Sequence, residues 1–217
     1  LGKAAEYRDE ETGNHILRVG CYCRAIAEEL QRGREFSEMI FLSSPMHDIG
    51  KIGISDRILM KPGRLTAQER KIMERHCEIG YEILMREPEG LKPFLRWHRN
   101  HFAARRCRNP ILEMAAAIAL GHHERWDGSG YPQRLSGAEI PLAARIVGLA
   151  DVYDALRSGR PYKRAFSEAK TRAIMAEEEK GKFDPEVYAA FEKLREIFND
   201  IHEQFSEEAS QERFMSV

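Results

Sequence analysis

Between residues 16 and 30 the apolar side chains Ile16, Val19, Tyr22, Cys23, Ile26 and Leu30 recur every three or four positions. That period places them on one stripe of a helix, and such a stripe must be covered by neighbouring elements. The same period returns further along the chain. No run shows strand alternation, and no Asn-Gly or Asp-Gly turn joins β-branched runs. The Asp127-Gly128 pair falls in a turn-rich loop, Glu124 to Ile140, instead. The predicted class is therefore all-α. Helices are expected at roughly 6–31 and 37–48, the second burying Ile40, Phe41 and Leu42, with a short helix or turn at 55–60. Thr66 and Glu69 have the spacing of a capping box. They open a helix through Ile72, Met73, His76, Ile79, Gly80 and Ile83 that stops near Pro88. Further helices are expected from Ile111 to His123, from the first-turn Pro141 to about Arg157, from the cap Ser167 to about Lys180, and from the cap Asp184 with Pro185 at N1.

Composition sets limits on function. The formal charge is -1, from 34 basic and 35 acidic residues, so no global field favours a nucleic-acid polymer as partner. No apolar run reaches the length of a membrane span. The four cysteines, at 21, 23, 77 and 107, form no C-x-x-C pair and read as free thiols of a reducing compartment, which points to the cytoplasm. The chain opens at Leu1 without Met, so a longer protein with an N-terminal regulatory module is expected. Within the chain, residues 1–197 are expected to form one catalytic domain and 198–217 an acidic C-terminal tail.

The residues able to hold a metal are spread along these helices. Glu11 and His15 lie four apart on one helical face. His47 and Asp48 are adjacent in the stretch Met46-His47-Asp48-Ile49-Gly50-Lys51-Ile52-Gly53, where a helix should end. His76 lies among apolar neighbours, as a core histidine or a ligand. His122 and His123 end the Ala-rich helix. Asp151 directly follows the apolar segment 143–150, where an unpaired carboxylate is costly to bury. Each residue alone has an ordinary structural explanation. Together they are eight N/O donors, more than one ion needs, and they suit two or three ions sharing carboxylates. Imidazole with carboxylate suits iron, manganese, zinc or nickel, and the absence of cysteine from the set argues against a structural zinc site.

Three longer motifs make the pattern specific: Glu11-Thr12-Gly13-Asn14-His15; His47-Asp48-Ile49-Gly50-Lys51-Ile52-Gly53-Ile54; and His122-His123-Glu124-Arg125-Trp126-Asp127-Gly128-Ser129-Gly130-Tyr131-Pro132. With Asp151-Val152-Tyr153-Asp154 and Arg160-Pro161-Tyr162-Lys163, they resemble the HD-GYP family of the HD superfamily of metal-dependent phosphohydrolases, over about residues 8–190. The resemblance implies an HD-domain helical bundle with additional C-terminal helices and a Gly-Tyr-Pro loop. It implies hydrolysis of cyclic di-GMP, to pGpG or GMP, by a hydroxide bridging two or three iron or manganese ions. Carried over by motif, the metal ligands are Glu11, His15, His47, Asp48, His76, His122, His123 and Asp151. Asp48 is expected to bridge, and Glu11 to add a third ion. Lys51 is implied at the scissile phosphate, Arg160 and Lys163 at the substrate's phosphates or guanine, and Gly130, Tyr131 and Pro132 in a loop that meets protein partners. A homodimer is a further expectation. Glu124 and Asp127 are expected to support the loop without ligating.

The chain departs from that family between His76 and His122, which have 45 residues between them. The surplus at about 88–110 is basic and aromatic, and is expected to be a surface helix, a long loop, a lid or a dock. His98 and His101 within it are not expected to ligate. Cys77, next to His76, is expected to point about a quarter-turn away from the metals. Three rival functions stay open: another HD phosphohydrolase acting on a different nucleotide, a diiron oxygenase, and a receptor that binds a cyclic dinucleotide with little turnover.

Overall fold

The computed structural model describes residues 13–86, 90, 93, 96–97, 109–159 and 165–206. Among these there is no strand. The helices are α1 (Gly13–Glu29), α2 (Arg34–Ser43), the four-residue α3 (Asp56–Leu59), α4 (Ala67–Glu74), α5 (His76–Met85), α6 (Pro110–Gly121), α7 (Leu142–Arg157), α8 (Glu168–Lys182), α9 (Pro185–Lys193) and α10 (Arg195–Gln204). No helix of the described residues is long and apolar enough to cross a membrane.

The 16–30 stripe is buried as its spacing requires: Val19, Tyr22, Cys23 and Ile26 are fully covered, and α2 and α7 pack against α1. Tyr22 stacks on Phe198 at 4.4 Å and meets Tyr153 edge-on at 5.3 Å. Phe191 closes the group against both Tyr153 and Phe198. This aromatic block ties α1, α7, α9 and α10 into one core. α10 runs across residue 198 and Phe198 is fully buried, so the packed part of the chain continues past residue 197.

Several caps lie where the sequence places them. Thr66 and Glu69 form both halves of a capping box, and Lys61 joins the Glu69 carboxylate at 2.6 Å. Asn109 caps α6, Ser167 caps α8, and Asp184 caps α9 with Pro185 at its first position. Pro141, expected inside the first turn of α7, stands one position outside it as the N-cap residue.

Two expected elements need correction. The helix expected at 37–48 stops at Ser43, because Pro45 has no N–H to continue the ladder. Two 3₁₀ turns follow, Ser44–Met46 and Ile49–Gly53, with His47 and Asp48 at the joint between them. Leu42 is not buried; it is 51% exposed on the outer side of α2. The helix expected from 67 to Pro88 is two helices that meet at Arg75, and the second ends at Met85. Ile72 and Ile83 face outward from it. The turn at 49–53 presses on this joint: a Cβ at Gly50 would stand 1.9 Å from the His76 carbonyl oxygen and 2.5 Å from the Gly80 nitrogen. Only glycine permits that approach, which sets Asp48 and Lys51 beside His76.

Candidate metal centre

Five helices and turns converge on one point. α1 supplies His15, the joint after α2 supplies His47 and Asp48, the start of α5 supplies His76, the end of α6 supplies His122 and His123, and α7 supplies Asp151. The donor atoms of His15, His47 and Asp151 lie within 4.8 Å of one another, and so do those of His76, Cys77, His122 and His123. Asp48 stands between the two groups. Its Oδ1 is 3.3 Å from His76 Nε2 and 3.7 Å from His122 Nε2, whereas its Oδ2 is 3.4 Å from His47 Nε2. On the other side, Asp151 Oδ1 is 3.7 Å from His15 Nε2 and 3.9 Å from His47 Nε2. Two donors sharing an ion with ordinary bonds stand about 2.9–3.4 Å apart. The closest of these spacings fall in that range, and the rest are a few tenths of an ångström wider.

The orientation of the imidazoles is fixed from behind. Nδ1 of His47 lies 2.8 Å from the Ser44 carbonyl, Nδ1 of His76 2.7 Å from the Met73 carbonyl, and Nδ1 of His122 3.1 Å from the Ile118 carbonyl. A carbonyl can only accept, so each Nδ1 carries a proton and each Nε2 points inward, offering a lone pair whenever it is unprotonated. His47 Nε2, His122 Nε2 and Asp48 Oδ1 are buried and make no hydrogen bond. Leaving such atoms unsatisfied is costly, and a cation supplies the missing partner. The donor set, mostly imidazole and carboxylate, fits a borderline divalent ion.

Electrostatics separate the two groups. Burial pushes the His76 imidazole down to about 4, and burial with its histidine neighbours holds His123 well below the ordinary value. Both are neutral donors at pH 7. Burial also works against charge on His47, but the Asp48 and Asp151 carboxylates outweigh it and lift that group to about 9. Burial opposes ionisation of Asp48 too; Lys51, with Nζ 2.7 Å from Oδ2, and His47 overcome it and keep the carboxyl well below the usual range.

The Gly-Tyr-Pro loop folds onto this centre. The Tyr131 ring stacks on His123 at 4.8 Å and meets His76 edge-on at 6.5 Å. A Cβ at Gly130 would be 2.6 Å from the His123 carbonyl oxygen, so the loop lies directly on the backbone of the ligand pair. The Tyr131–Pro132 peptide is cis. Glu124 is buried and accepts from the backbone N–H groups of Gln133, Arg134 and Leu135, and Asp127 accepts from Ser129. Both carboxylates hold the loop, as expected. A cavity of about 460 Å³ reaches the centre along His122, His123, Tyr131 and Asp151, and Trp126, Arg125 and Arg145 form its outer wall.

Of the expected site residues, His15, His47, Asp48, Lys51, His76, His122, His123 and Asp151 are thus brought together. Glu11, Arg160, Lys163, His98 and His101 lie outside the described residues, as does most of the segment at 88–110. One expectation fails: Cys77 does not turn away. It begins α5 beside His76 and places Sγ 3.5 Å from His76 Nε2. Cα positions a quarter-turn apart still let the two side chains converge at the first turn of the helix.

Sequence reasoning also passed over two residues. Asp154 is fully buried and binds Nδ1 of His15 at 2.8 Å. Arg18 donates to both oxygens of the same carboxylate, at 2.6 and 2.7 Å. Arg18 follows His15 by three residues and Asp154 follows Asp151 by three, so each was legible as a same-face neighbour of a ligand.

Comparison with known proteins agrees with this geometry. The family model described as "HD domain" matches residues 3–187. A cyclic di-GMP phosphodiesterase of Thermotoga maritima is 44% identical over 215 residues, covering 96% of this chain and 51% of that protein. A cyclic di-GMP phosphodiesterase of Vibrio cholerae is 42% identical over 217 residues, covering 96% of this chain and 41% of that protein. The chain thus spans about half the length of the curated relatives it matches. The crystal structure of a cyclic GMP-AMP specific phosphodiesterase of Vibrio cholerae has the same fold, with a TM-score of 0.57 at 18% identity, over 93% of this chain and 48% of that one. The chain belongs to the HD domain family and carries the motifs of its HD-GYP branch.

Proposed function

We propose that the chain is the catalytic part of a metal-dependent phosphodiesterase that hydrolyses cyclic di-GMP to pGpG, GMP or both. The observation that carries this reading is the placement of Asp48, whose two oxygens face two separate histidine groups while Lys51 pairs with one of them. A carboxylate so placed suits a bridge between two ions. His76, His122 and His123 would hold one ion; His15, His47 and Asp151 would hold the other. A third ion rests on Glu11. Iron or manganese suits the imidazole and carboxylate donors. Divalent ions there would acidify a water molecule and polarise a phosphoryl oxygen.

The rest of the reaction falls to side chains of this chain. The carbonyls of Ser44, Met73 and Ile118 keep the Nδ1 protons in place, so the imidazoles need not reorient when substrate arrives. The Lys51 ammonium, held at Asp48, offers positive charge where a non-bridging phosphate oxygen gains charge. Tyr131 and Trp126 give the cavity aromatic faces suited to purine bases. Arg160 and Lys163 are proposed to meet the substrate's phosphates or guanine, and the loop around Tyr131 to meet protein partners. Cys21, Cys23 and Cys77 are free thiols, which supports a cytoplasmic setting.

The test is an anaerobic assay of protein reconstituted with iron or manganese, offered cyclic di-GMP and 3′3′-cyclic GMP-AMP, with products separated by chromatography. Metal-dependent conversion of cyclic di-GMP, lost in a His47→Ala, Asp48→Ala double variant, is expected. No product from cyclic di-GMP with metal-loaded protein refutes the proposal, and conversion of cyclic GMP-AMP alone reassigns the substrate.

A further inference from the structure

Cys77, in the first turn of α5, places beside His76 a donor atom that the proposed reaction does not use. It is fully buried and belongs to the same donor group as His76, His122 and His123, whose ligand atoms all lie within 4.8 Å of one another. Its Sγ is 3.5 Å from His76 Nε2. Nitrogen and sulfur bound to one tetrahedral zinc-sized ion, with bonds of about 2.0–2.1 and 2.3 Å, stand about 3.5 Å apart. His122 Nε2, buried and without a hydrogen bond, is aimed into the same space.

In the metal-free chain the contact can be an S–H···N hydrogen bond to His76 Nε2. That nitrogen has one lone pair, because its Nδ1 proton is committed to the Met73 carbonyl. A metal that takes the lone pair removes the acceptor from the thiol. The sulfur then faces the cation from a fully buried position with no water to turn to.

We propose that Cys77 is a metal ligand, making the ion held by His76, His122 and His123 a mixed nitrogen–sulfur site while the ion held by His15, His47 and Asp151 keeps nitrogen and oxygen donors. The inference rests on the two-ion reading above. Its consequence is an unequal pair: a thiolate favours zinc or iron(II) over manganese at one position only. Binding displaces the thiol proton to solvent, and the sulfur lone pair forms the new bond.

The experiment is X-ray absorption at the metal edge of zinc-loaded chain, wild type beside Cys77→Ser, with metal content measured on the same samples. A sulfur shell at about 2.3 Å in the wild type, absent from a Cys77→Ser chain that still binds metal, is expected. Competition of zinc against manganese should show the zinc preference falling by about tenfold or more in that variant. A wild-type spectrum with only nitrogen and oxygen neighbours overturns the proposal, as does a sulfur shell that survives the substitution. A wild-type chain that takes up no metal removes the two-ion reading itself, an outcome that the metal analysis separates from the others. The wild-type spectrum decides the question even if the serine variant fails to fold.

Discussion

Replacing Asp154 with alanine tests how the back of the site is built. The carboxylate is fully buried and serves four donors: Nδ1 of His15, Nε of Arg18, a terminal nitrogen of Arg18 and the Ser158 hydroxyl. After the change, the Arg18 guanidinium keeps the Phe205 carbonyl and the Ser158 hydroxyl, both at 2.9 Å, but loses both of its hydrogen bonds to the Asp154 carboxylate. Arg18 is only 3% exposed, so water cannot replace the lost partner. Breaking a buried pair on one side costs about 3–5 kcal/mol. For a domain of this size that is a fall in Tm of roughly 6–20 °C. The melt should be run in chelator, because bound metal adds its own stabilisation. Loss of the His15 anchor should also weaken metal binding by about 10–100-fold in a chelator competition. Asp154→Asn should behave similarly, since its amide nitrogen would face an existing donor. Burial alone would raise the Asp154 carboxyl; Arg18 and His15 outweigh it and hold the group well below the ordinary carboxylate range. Its contribution is therefore complete above about pH 4 and is lost as the pH falls further. An Asp154→Ala protein melting within about 2 °C of wild type, with unchanged metal affinity, would refute this account of the site.

Gly50→Ala should force the turn at 49–53 away from His76, because the new methyl would meet the His76 carbonyl at 1.9 Å. A loss of about 1–3 kcal/mol or more in a chemical melt, together with reduced metal uptake, is expected. Lys51→Met should leave metal content near wild type and lower kcat by about 10²–10³-fold, as for a lost transition-state donor; an equal loss of metal would make Lys51 a structural partner of Asp48 only. Metal uptake should release a proton from His47, whose pKa is lifted to about 9, so affinity should rise by about tenfold per pH unit up to that point and then level off. Because that folded-state pKa is raised, the charged imidazole stabilises the metal-free chain fully below about pH 6.5, and that stability should disappear as the pH rises through about 9. Isothermal titration in buffers of different ionisation enthalpy measures both the proton and the affinity.

Much of the fold and the ligand set was legible because periodicity and residue chemistry are local. The stripe from Ile16 to Leu30, the capping box at Thr66 and the caps at Ser167 and Asp184 need only their own neighbours. The histidines and carboxylates were legible as a set because so many donors on apolar helices have no better explanation. What escaped depends on contacts across the chain. The break at Arg75 reflects the Gly50 turn pressing on His76, 26 positions later in the sequence. The inward turn of Cys77 depends on how α5 starts, and periodicity cannot report it. Asp154 and Arg18 look like an ordinary acid and base until α1 and α7 are placed side by side. Leu42 was expected in the core from its hydrophobicity, yet its position on α2 turns it outward.

The central claim is that two histidine groups share Asp48 as a bridge. Metal counting by mass spectrometry on reconstituted wild type and on Asp48→Ala tests it most directly, since the two Asp48 oxygens face histidine nitrogens of both groups. Wild type should carry at least two ions, one per histidine group, and Asp48→Ala should lose both. Retention of one full equivalent in Asp48→Ala, or a single ion in saturated wild type, would contradict the bridged centre.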